Sequence, residues 1–89
     1  MTSKLDFGAA LREIRIIRQL PQESLGPSQA FVSDLERGIR SPTLTKIEQL
    51  ASLLEISPVT LLVYTYSRDE KSADELLSAV RKELGDLRK

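Results

Sequence analysis

The amino-acid sequence predicts an all-α fold, with one small domain followed by a further helix. Three observations carry this prediction: apolar residues recur at spacings of three and four, helix start signals precede the apolar runs, and Gly and Pro number only four each. A chain of 89 residues fits one hydrophobic core and leaves no room for a second. We therefore expect a domain over residues 5–66 and a C-terminal amphipathic helix over residues 70–89.

The first predicted helix covers residues 5–18. One face of it carries a helical stripe of apolar residues, namely Phe7, Ala10, Leu11, Ile14 and Ile17. Pro21 ends this helix, because a proline pushes the preceding residue out of the helical region. Gly26-Pro27 is the next break, so the segment over residues 21–25 can form only about one turn.

A short and mostly polar helix is predicted next. Ser28 provides a hydroxyl cap at its start and Gly38 stands just past its end, which brackets some ten residues. Its apolar positions Val32 and Leu35 are three residues apart, so one narrow face can pack on a core.

Three more helices complete the prediction. Thr43 caps a helix whose stripe is Leu44, Ile47, Leu50, Ala51 and Leu54. Ser57-Pro58 starts a helix that reaches about Tyr66, with Leu62, Val63 and Tyr66 on one face. After a polar hinge over residues 67–71, residues 72–87 carry the stripe Ala73, Leu76, Leu77, Val80, Leu84 and Leu87.

Composition excludes several classes of function. Without Cys or His, the chain lacks the residues for a disulfide, a transition-metal site and the usual general base near neutral pH. No apolar run approaches the roughly 20 residues of a transmembrane helix, and no signal-peptide pattern follows the first residues. We therefore expect a cytoplasmic protein without catalytic activity, metal or cofactor, and no small-molecule ligand is evident.

Charge does not by itself indicate a partner. Thirteen basic residues balance thirteen acidic residues, so the net charge is zero. A face that binds a polyanion must therefore come from the arrangement of the charges.

The order of the elements and a set of motifs resemble the lambda-repressor/Cro-like family of helix-turn-helix proteins, often called Xre-like. The resemblance covers about residues 5–63. Its most specific part is Phe31-Val32-Ser33-Asp34-Leu35-Glu36-Arg37-Gly38, then Ser41-Pro42-Thr43-Leu44, with Leu11-Arg12, Arg15, Leu20, Gln22-Glu23 and Leu25 upstream. It implies a five-helix lambda-repressor-like DNA-binding domain, in which the one-turn segment counts as a helix. This chain is a variant with a shortened first motif helix, since Gly26-Pro27 replaces about four residues that family members usually have there.

The resemblance makes the helix that begins after Ser28 the recognition helix. Its candidate base contacts follow from side-chain chemistry: the Gln29 amide suits adenine, Ala30 suits a thymine methyl, Ser33 suits several bases, and Asp34 could accept from cytosine. The alternative is that all four are ordinary solvated positions of a surface helix.

A second set of residues is expected to contact phosphate or to position the helix. It consists of Arg18, Gln22, Ser28, Phe31, Arg37, Arg40, Ser41, Thr43 and Lys46. For Phe31 two interpretations stay open, packing on the DNA or filling the gap left by the shortened helix. The resemblance also implies a structural ion pair between Arg15 and Glu36.

The leading hypothesis for function is sequence-specific binding of double-stranded DNA by a small transcriptional regulator. A repressor, autoregulatory or of the restriction–modification, phage or plasmid type, is the simplest form. A homodimer on a palindromic operator is expected, because one recognition helix makes few base contacts. Its interface could be formed by residues 72–87 or by residues 61–66. The alternative function is a protein-interaction adaptor or antitoxin-like module with the same fold.

Overall fold

The computed structural model describes residues 6–67 and 69–89, and this part of the chain contains five α-helices and one 3₁₀ turn. The helices are α1 (Phe7–Ile17), α2 (Gln29–Glu36), α3 (Leu44–Leu54), α4 (Pro58–Tyr66) and α5 (Glu70–Leu87), and the 3₁₀ turn spans Gln22–Ser24. The predicted all-α class is confirmed. Leu5, where the first helix was expected to begin, and Arg68 of the expected hinge lie outside the described residues.

Every helix begins at a side chain that accepts a hydrogen bond from a backbone N–H of its first turn. Ser28 accepts from Phe31 at 3.1 Å and Thr43 accepts from Lys46 at 3.1 Å. Ser57, Asp6 and Asp69 make the equivalent contacts at the starts of α4, α1 and α5. These caps satisfy backbone donors that have no partner within the helix, so local sequence sets the helix starts.

One hydrophobic core joins the first four helices. α1 packs against α2 and α4, and α3 packs against α4. Nine buried residues form the core, namely Leu11, Ile14, Leu25, Val32, Leu35, Leu50, Ala51, Leu54 and Leu61. The two buried residues of α2, Val32 and Leu35, are the two that the sequence predicts for its inner face.

Two residues of the stripes predicted for α1 and α3 lie exposed outside the core. Ile17 is 66% exposed and Leu44 is 67% exposed. At about 100° per residue, each stands near the edge of its stripe and at a helix end. Position 18 lies nearer the centre of the α1 stripe than position 17, and it is occupied by an arginine. The stripes were therefore predicted one residue too long at these ends.

The face of α4 that carries Leu62, Val63 and Tyr66 is not the face that is buried in the core. Leu61 and Thr65 are buried, whereas Tyr66 is 59% exposed and Leu62 and Val63 are half-buried. Almost every residue of α4 is apolar, so helical periodicity cannot distinguish one of its faces from another. The packing of α1 and α3 selects the face that is buried.

α5 stands apart from this core. It contacts α4, and none of its residues 70–87 is buried. Most of the stripe predicted for residues 72–87 is therefore uncovered.

No single helix among the described residues is both long and apolar enough to cross a membrane. α3 and α4 reach that length and composition only as a pair, and a bend of 101° separates them.

Candidate nucleic-acid interface

The first turn of α2 is an open, mostly polar surface. Ser28, Gln29 and Ala30 are exposed, and Ser33 and Asp34 are half-buried. Because Val32 and Leu35 anchor the opposite face in the core, the helix can present this polar face outward without losing its packing. A major groove of double-stranded DNA is wide enough to admit such a helix.

An ion pair fixes the C-terminal end of α2 to α1. The Arg15 guanidinium donates from Nε to Glu36 Oε2 at 2.6 Å and from Nη2 to Glu36 Oε1 at 3.0 Å. Its third nitrogen donates to the carbonyl oxygen of Leu20 at 2.9 Å. The two side chains are 12% and 3% exposed, so the pair is largely removed from water. Two parallel hydrogen bonds restrict the orientation of the helix as well as its distance.

Burial and hydrogen bonding act in opposite directions on this pair. Burial raises the pKa of Glu36, but the hydrogen bonds from Arg15 and Gln22 and the positive charges of Arg15 and Arg12 together outweigh it and hold that pKa below its ordinary value. The hydrogen bond to Glu36 raises the pKa of Arg15. Both groups are therefore charged at neutral pH, as a structural pair requires.

A chain of two amides connects this ion pair to the first turn of α2. Gln22 donates from Nε2 to Glu36 Oε1 at 2.9 Å, and its own Oε1 accepts from Gln29 Nε2 at 3.2 Å. Gln22 was expected at a phosphate, and the structure places its amide between Glu36 and Gln29. The Gln29 side chain is exposed, and Gln22 restricts its conformation.

Phe31 fills the space beside the shortened connection. Its ring is half-buried and packs against the core, next to Gly26. A Cβ atom on Gly26 would lie 2.7 Å from Val32 Cγ2, so only glycine allows the chain to approach this closely. These contacts favour the interpretation in which Phe31 fills the gap.

Two cations lie over the outer part of the same ring. Arg40 Cζ is 5.0 Å from the Phe31 centroid and Lys46 Nζ is 5.1 Å from it. These distances are within the range of cation–π attraction. The ring therefore brings a loop cation and an α3 cation together beside α2.

The loop after α2 folds back on the helix. Gly38 has a φ of +78°, and the N–H groups of Ile39 and Arg40 both donate to the carbonyl oxygen of Asp34. The Asp34 carboxylate lies 3.9 Å from Arg37 and 3.8 Å from Arg40, whose side chains are 65% and 53% exposed. Both arginines are thus held beside the C-terminal turn of α2 and remain open to solvent.

The hydroxyl residues lie close to these cations in the sequence. Ser41 and Thr43 are exposed at the start of α3, and Ser28 is exposed at the start of α2. The Thr43 and Ser28 oxygens accept the capping hydrogen bonds, which leaves their O–H groups available as donors. An O–H donor suits a phosphate oxygen.

Arg18 is separated from the other candidate phosphate contacts. Its Nε donates to the carbonyl oxygen of Leu54 at 3.0 Å, at the C-terminal end of α3. Thr43 and Lys46 stand near the opposite end of this eleven-residue helix, roughly 16 Å and roughly 12 Å along its axis from Leu54. The structure therefore brings Arg37, Arg40 and Lys46 together and places Arg18 elsewhere.

Three residues near this face were not singled out from the sequence as contacts. Arg12 lies near enough to Glu36 for its charge to help lower the pKa of that carboxyl. Ile39 precedes Arg40 in the sequence and is 61% exposed. Leu44 follows Thr43 and is 67% exposed. The sequence signal that could have indicated Ile39 is an apolar residue within an otherwise polar loop.

The donor set of this face suits a polyanion better than a metal. Amides, hydroxyls and cations predominate, and among the described residues no three His, Cys, Asp or Glu side chains are placed to hold a metal ion. In protein–DNA complexes, side chains on a helix in the groove contact base edges, and cations beside it contact phosphates. The amides on α2 and the cations next to it have this arrangement.

Comparison with known proteins agrees with this geometry. A model of the helix-turn-helix family matches residues 11–61, more than half of the chain and the whole of α2 and α3. The control protein C.BamHI of Bacillus amyloliquefaciens is 34% identical over 67 residues, which cover 70% of this chain and 83% of that protein. No solved structure matches the chain. The chain therefore belongs to the Xre-type helix-turn-helix family and is a DNA-binding transcriptional regulator.

Proposed function

We propose that this protein is a control protein that binds a palindromic operator as a homodimer, with α2 in the major groove, and represses genes beside that operator, its own among them. The observation that carries the proposal is the exposed first turn of α2, with Arg40 and Lys46 over the Phe31 ring beside it and Arg37 at the C-terminal end of the same helix. Similarity to a protein named a control protein supports the regulatory role and favours a restriction–modification setting. The adaptor alternative is not favoured, since the family match concerns DNA-binding regulators.

In this proposal the exposed residues of α2 contact the base edges. Gln29 presents an amide that can bind adenine through two hydrogen bonds, and its bond to Gln22 reduces the conformational freedom lost on binding. Ala30 and Ser33 follow on the same side of the helix. Asp34 can accept from cytosine most freely when its contacts to Arg37 and Arg40 open. Those contacts are long and exposed, so opening them costs little.

Phosphate contacts come from the residues around Phe31. Arg40 and Lys46 lie over the same ring, and the O–H groups of Ser41 and Thr43 stand near them in the sequence. Arg37 and Ser28 extend this surface along α2. Because a phosphate carries no sequence information, these residues supply affinity and register rather than base preference.

Homodimerisation supplies a second recognition helix, which contacts the second half-site of the operator. A two-fold dimer places its recognition helices about one helical turn of DNA apart, so a palindromic operator fits the symmetry of the protein. α5 has no buried residue and α4 already contributes Leu61 to the core, which favours residues 72–87 as the interface. The proposal also places the protein in the cytoplasm with its DNA and assigns it no catalytic role.

Two substitutions distinguish base contacts from phosphate contacts. An operator is first selected from random duplex DNA, and binding is then titrated at two or more salt concentrations. Gln29→Ala is expected to lose roughly 1–3 kcal/mol on the selected operator, to relax preference at one base pair per half-site, and to leave binding to random DNA almost unchanged. Arg40→Ala is expected to weaken all sequences alike and to reduce the salt slope by about one unit per site.

Lys82→Ala serves as the matched control, because Lys82 is an exposed cation on α5, far along the chain from α2. It is expected to change neither the affinity nor the salt slope. Equal weakening of operator and random DNA by Gln29→Ala would show that this residue does not contact a base. No effect of either variant, or winning sequences without two-fold symmetry, would overturn the proposed docking.

A further inference from the structure

α5 carries an apolar stripe, and nothing in the described chain covers most of it. Leu77 is 47% exposed, Val80 38%, Leu84 40% and Leu87 80%. The helix has 18 residues and is roughly 27 Å long, and its half-buried residues, Ser72, Ala73 and Leu76, all lie in its first two turns. An amphipathic helix gains stability by burying such a stripe against another surface.

An apolar groove continues this stripe onto α4. Its volume is about 400 Å³, and its apolar lining comes mainly from Val59, Val63, Ala73 and Leu77. Val59 is itself 60% exposed. The groove and the stripe therefore form one uncovered surface, which we call the α5 face.

The charges beside the stripe follow an asymmetric pattern. At about 100° per residue, Glu70, Asp74, Arg81 and Arg88 all project along the same side of the stripe. The acidic pair is in the N-terminal half of α5, whereas Arg81 is in its C-terminal half and Arg88 directly follows its last residue. The other side carries Ser72, Ala79 and Glu83 and has no such division.

We propose that a second copy of this chain covers the α5 face with its own α5, in the antiparallel direction. The inference rests on the proposed homodimer and assigns its interface. When two such helices run antiparallel, equivalent sides of the two stripes face each other, so the acidic half of one helix meets the basic half of the other. A parallel arrangement would instead set this side against the other side of the second copy's stripe, where the acidic half would meet no basic residue.

The residue spacing fixes the register. With the two-fold axis between Ser78 and Ala79, Leu77 lies opposite Val80 of the second copy, and Asp74 lies opposite Arg81 of the second copy. Glu70 then comes beside Arg88 of the second copy. Leu84 of the second copy enters the α4–α5 groove beside Ala73. One register thus satisfies the stripe, the groove and the charges together.

Charge reversal tests the direction of pairing. The dissociation constant of the full-length dimer is measured by sedimentation equilibrium for Arg81→Glu, Asp74→Arg and the double variant. Each single variant places like charges opposite one another at two symmetric positions, so each is expected to weaken the dimer about tenfold or more. The double variant exchanges the charges and is expected to recover most of the loss. Lys82→Glu makes the same charge change as Arg81→Glu on the side of α5 away from the stripe, and it is expected to leave the dimer unchanged.

Cysteine crosslinking gives an independent test, since the chain contains no Cys. Ala73→Cys and Leu84→Cys are prepared as separate proteins, mixed, and oxidised gently. Antiparallel pairing predicts a disulfide between the two different variants and little crosslinking of either variant alone. A parallel pair predicts the reverse.

Binding to a duplex that contains one half-site separates this inference from the proposed DNA function. A monomeric wild-type chain at tens of micromolar, single variants without effect, or a double variant that stays weak would each overturn the antiparallel pairing. If the protein still binds the half-site in those cases, the result supports the contact between α2 and DNA and contradicts only the antiparallel pairing. Loss of half-site binding in a folded Gln29→Ala or Arg40→Ala variant, with dimerisation unchanged, tests the DNA surface alone.

Discussion

The position of α2 depends most directly on the contact between Arg15 and Glu36. We expect Glu36→Ala or Arg15→Ala to cost about 3–5 kcal/mol, because either change leaves a largely buried charge without its partner. In a domain of this size such a loss lowers the Tm by roughly 10 °C or more, measured by circular dichroism. The double variant Arg15→Met/Glu36→Leu, which removes both charges and keeps apolar volume, is expected to recover much of the loss.

Acid gives a second measurement of the same pair. Since the folded-state pKa of Glu36 is lowered, its contribution to stability is present above the unfolded pKa, near 4.3, and is lost as pH falls through the folded value. Glu36→Gln should therefore lose less stability than the wild type between about pH 5 and pH 2. Hydrogen bonds from Ser72 also lower the pKa of Asp69. Its contribution to the pH dependence of stability is the same in the wild type and in the Glu36→Gln variant, so it cancels when the two are compared. Equal melting temperatures for the wild type and both alanine variants would show that the pair does not stabilise the fold.

At the scale of elements, the contact between α1 and α2 depends on a glycine. A Cβ atom on Gly8 would overlap the carbonyl oxygens of Leu35 and Glu36, which are backbone atoms at the end of α2. Gly8→Ala is therefore expected to destabilise the domain by about 1–3 kcal/mol through overpacking, although alanine favours helix more than glycine does. The free energy of unfolding in urea measures the effect.

Gly85 provides the matched control for Gly8. It also lies within a helix, but a Cβ atom there would meet nothing within 4 Å. Gly85→Ala is expected to leave the domain unchanged or to stabilise it by up to about 1 kcal/mol. If Gly8→Ala behaved as Gly85→Ala does, the close approach of α1 to α2 would not exist in solution.

At the scale of the whole molecule, the core and the α5 face are separate units. All nine core residues precede residue 68, so deletion of residues 68–89 is expected to leave a folded domain with a nearly unchanged Tm. Without α5 the dimer should be lost, and affinity for the palindromic operator should fall at least about tenfold while half-site affinity stays the same. Sedimentation and DNA titration measure the two effects. A truncated chain that stays dimeric with full operator affinity would place the interface elsewhere.

The starts of α2, α3 and α4, the two inner residues of α2 and the all-α class were predictable because local interactions determine them. A capping hydroxyl, a glycine past a helix end and a spacing of three residues act within one or two turns of chain. Ser28, Thr43, Val32 and Leu35 accordingly have the structural roles that the sequence predicts. The family, and with it the expectation of an Arg15–Glu36 pair, came from resemblance in the motif residues.

Tertiary structure alone decided which face of α4 is buried, what Gln22 binds and where Arg18 lies. The buried face of an almost wholly apolar helix depends on the neighbours that pack against it, as Leu61 and Thr65 show. Gln22 meets Glu36 and Gln29 only because the chain folds the 3₁₀ turn against α2, and Arg18 reaches Leu54 across 36 residues. Contacts between residues far apart in sequence depend on the position of whole helices, which no local spacing encodes.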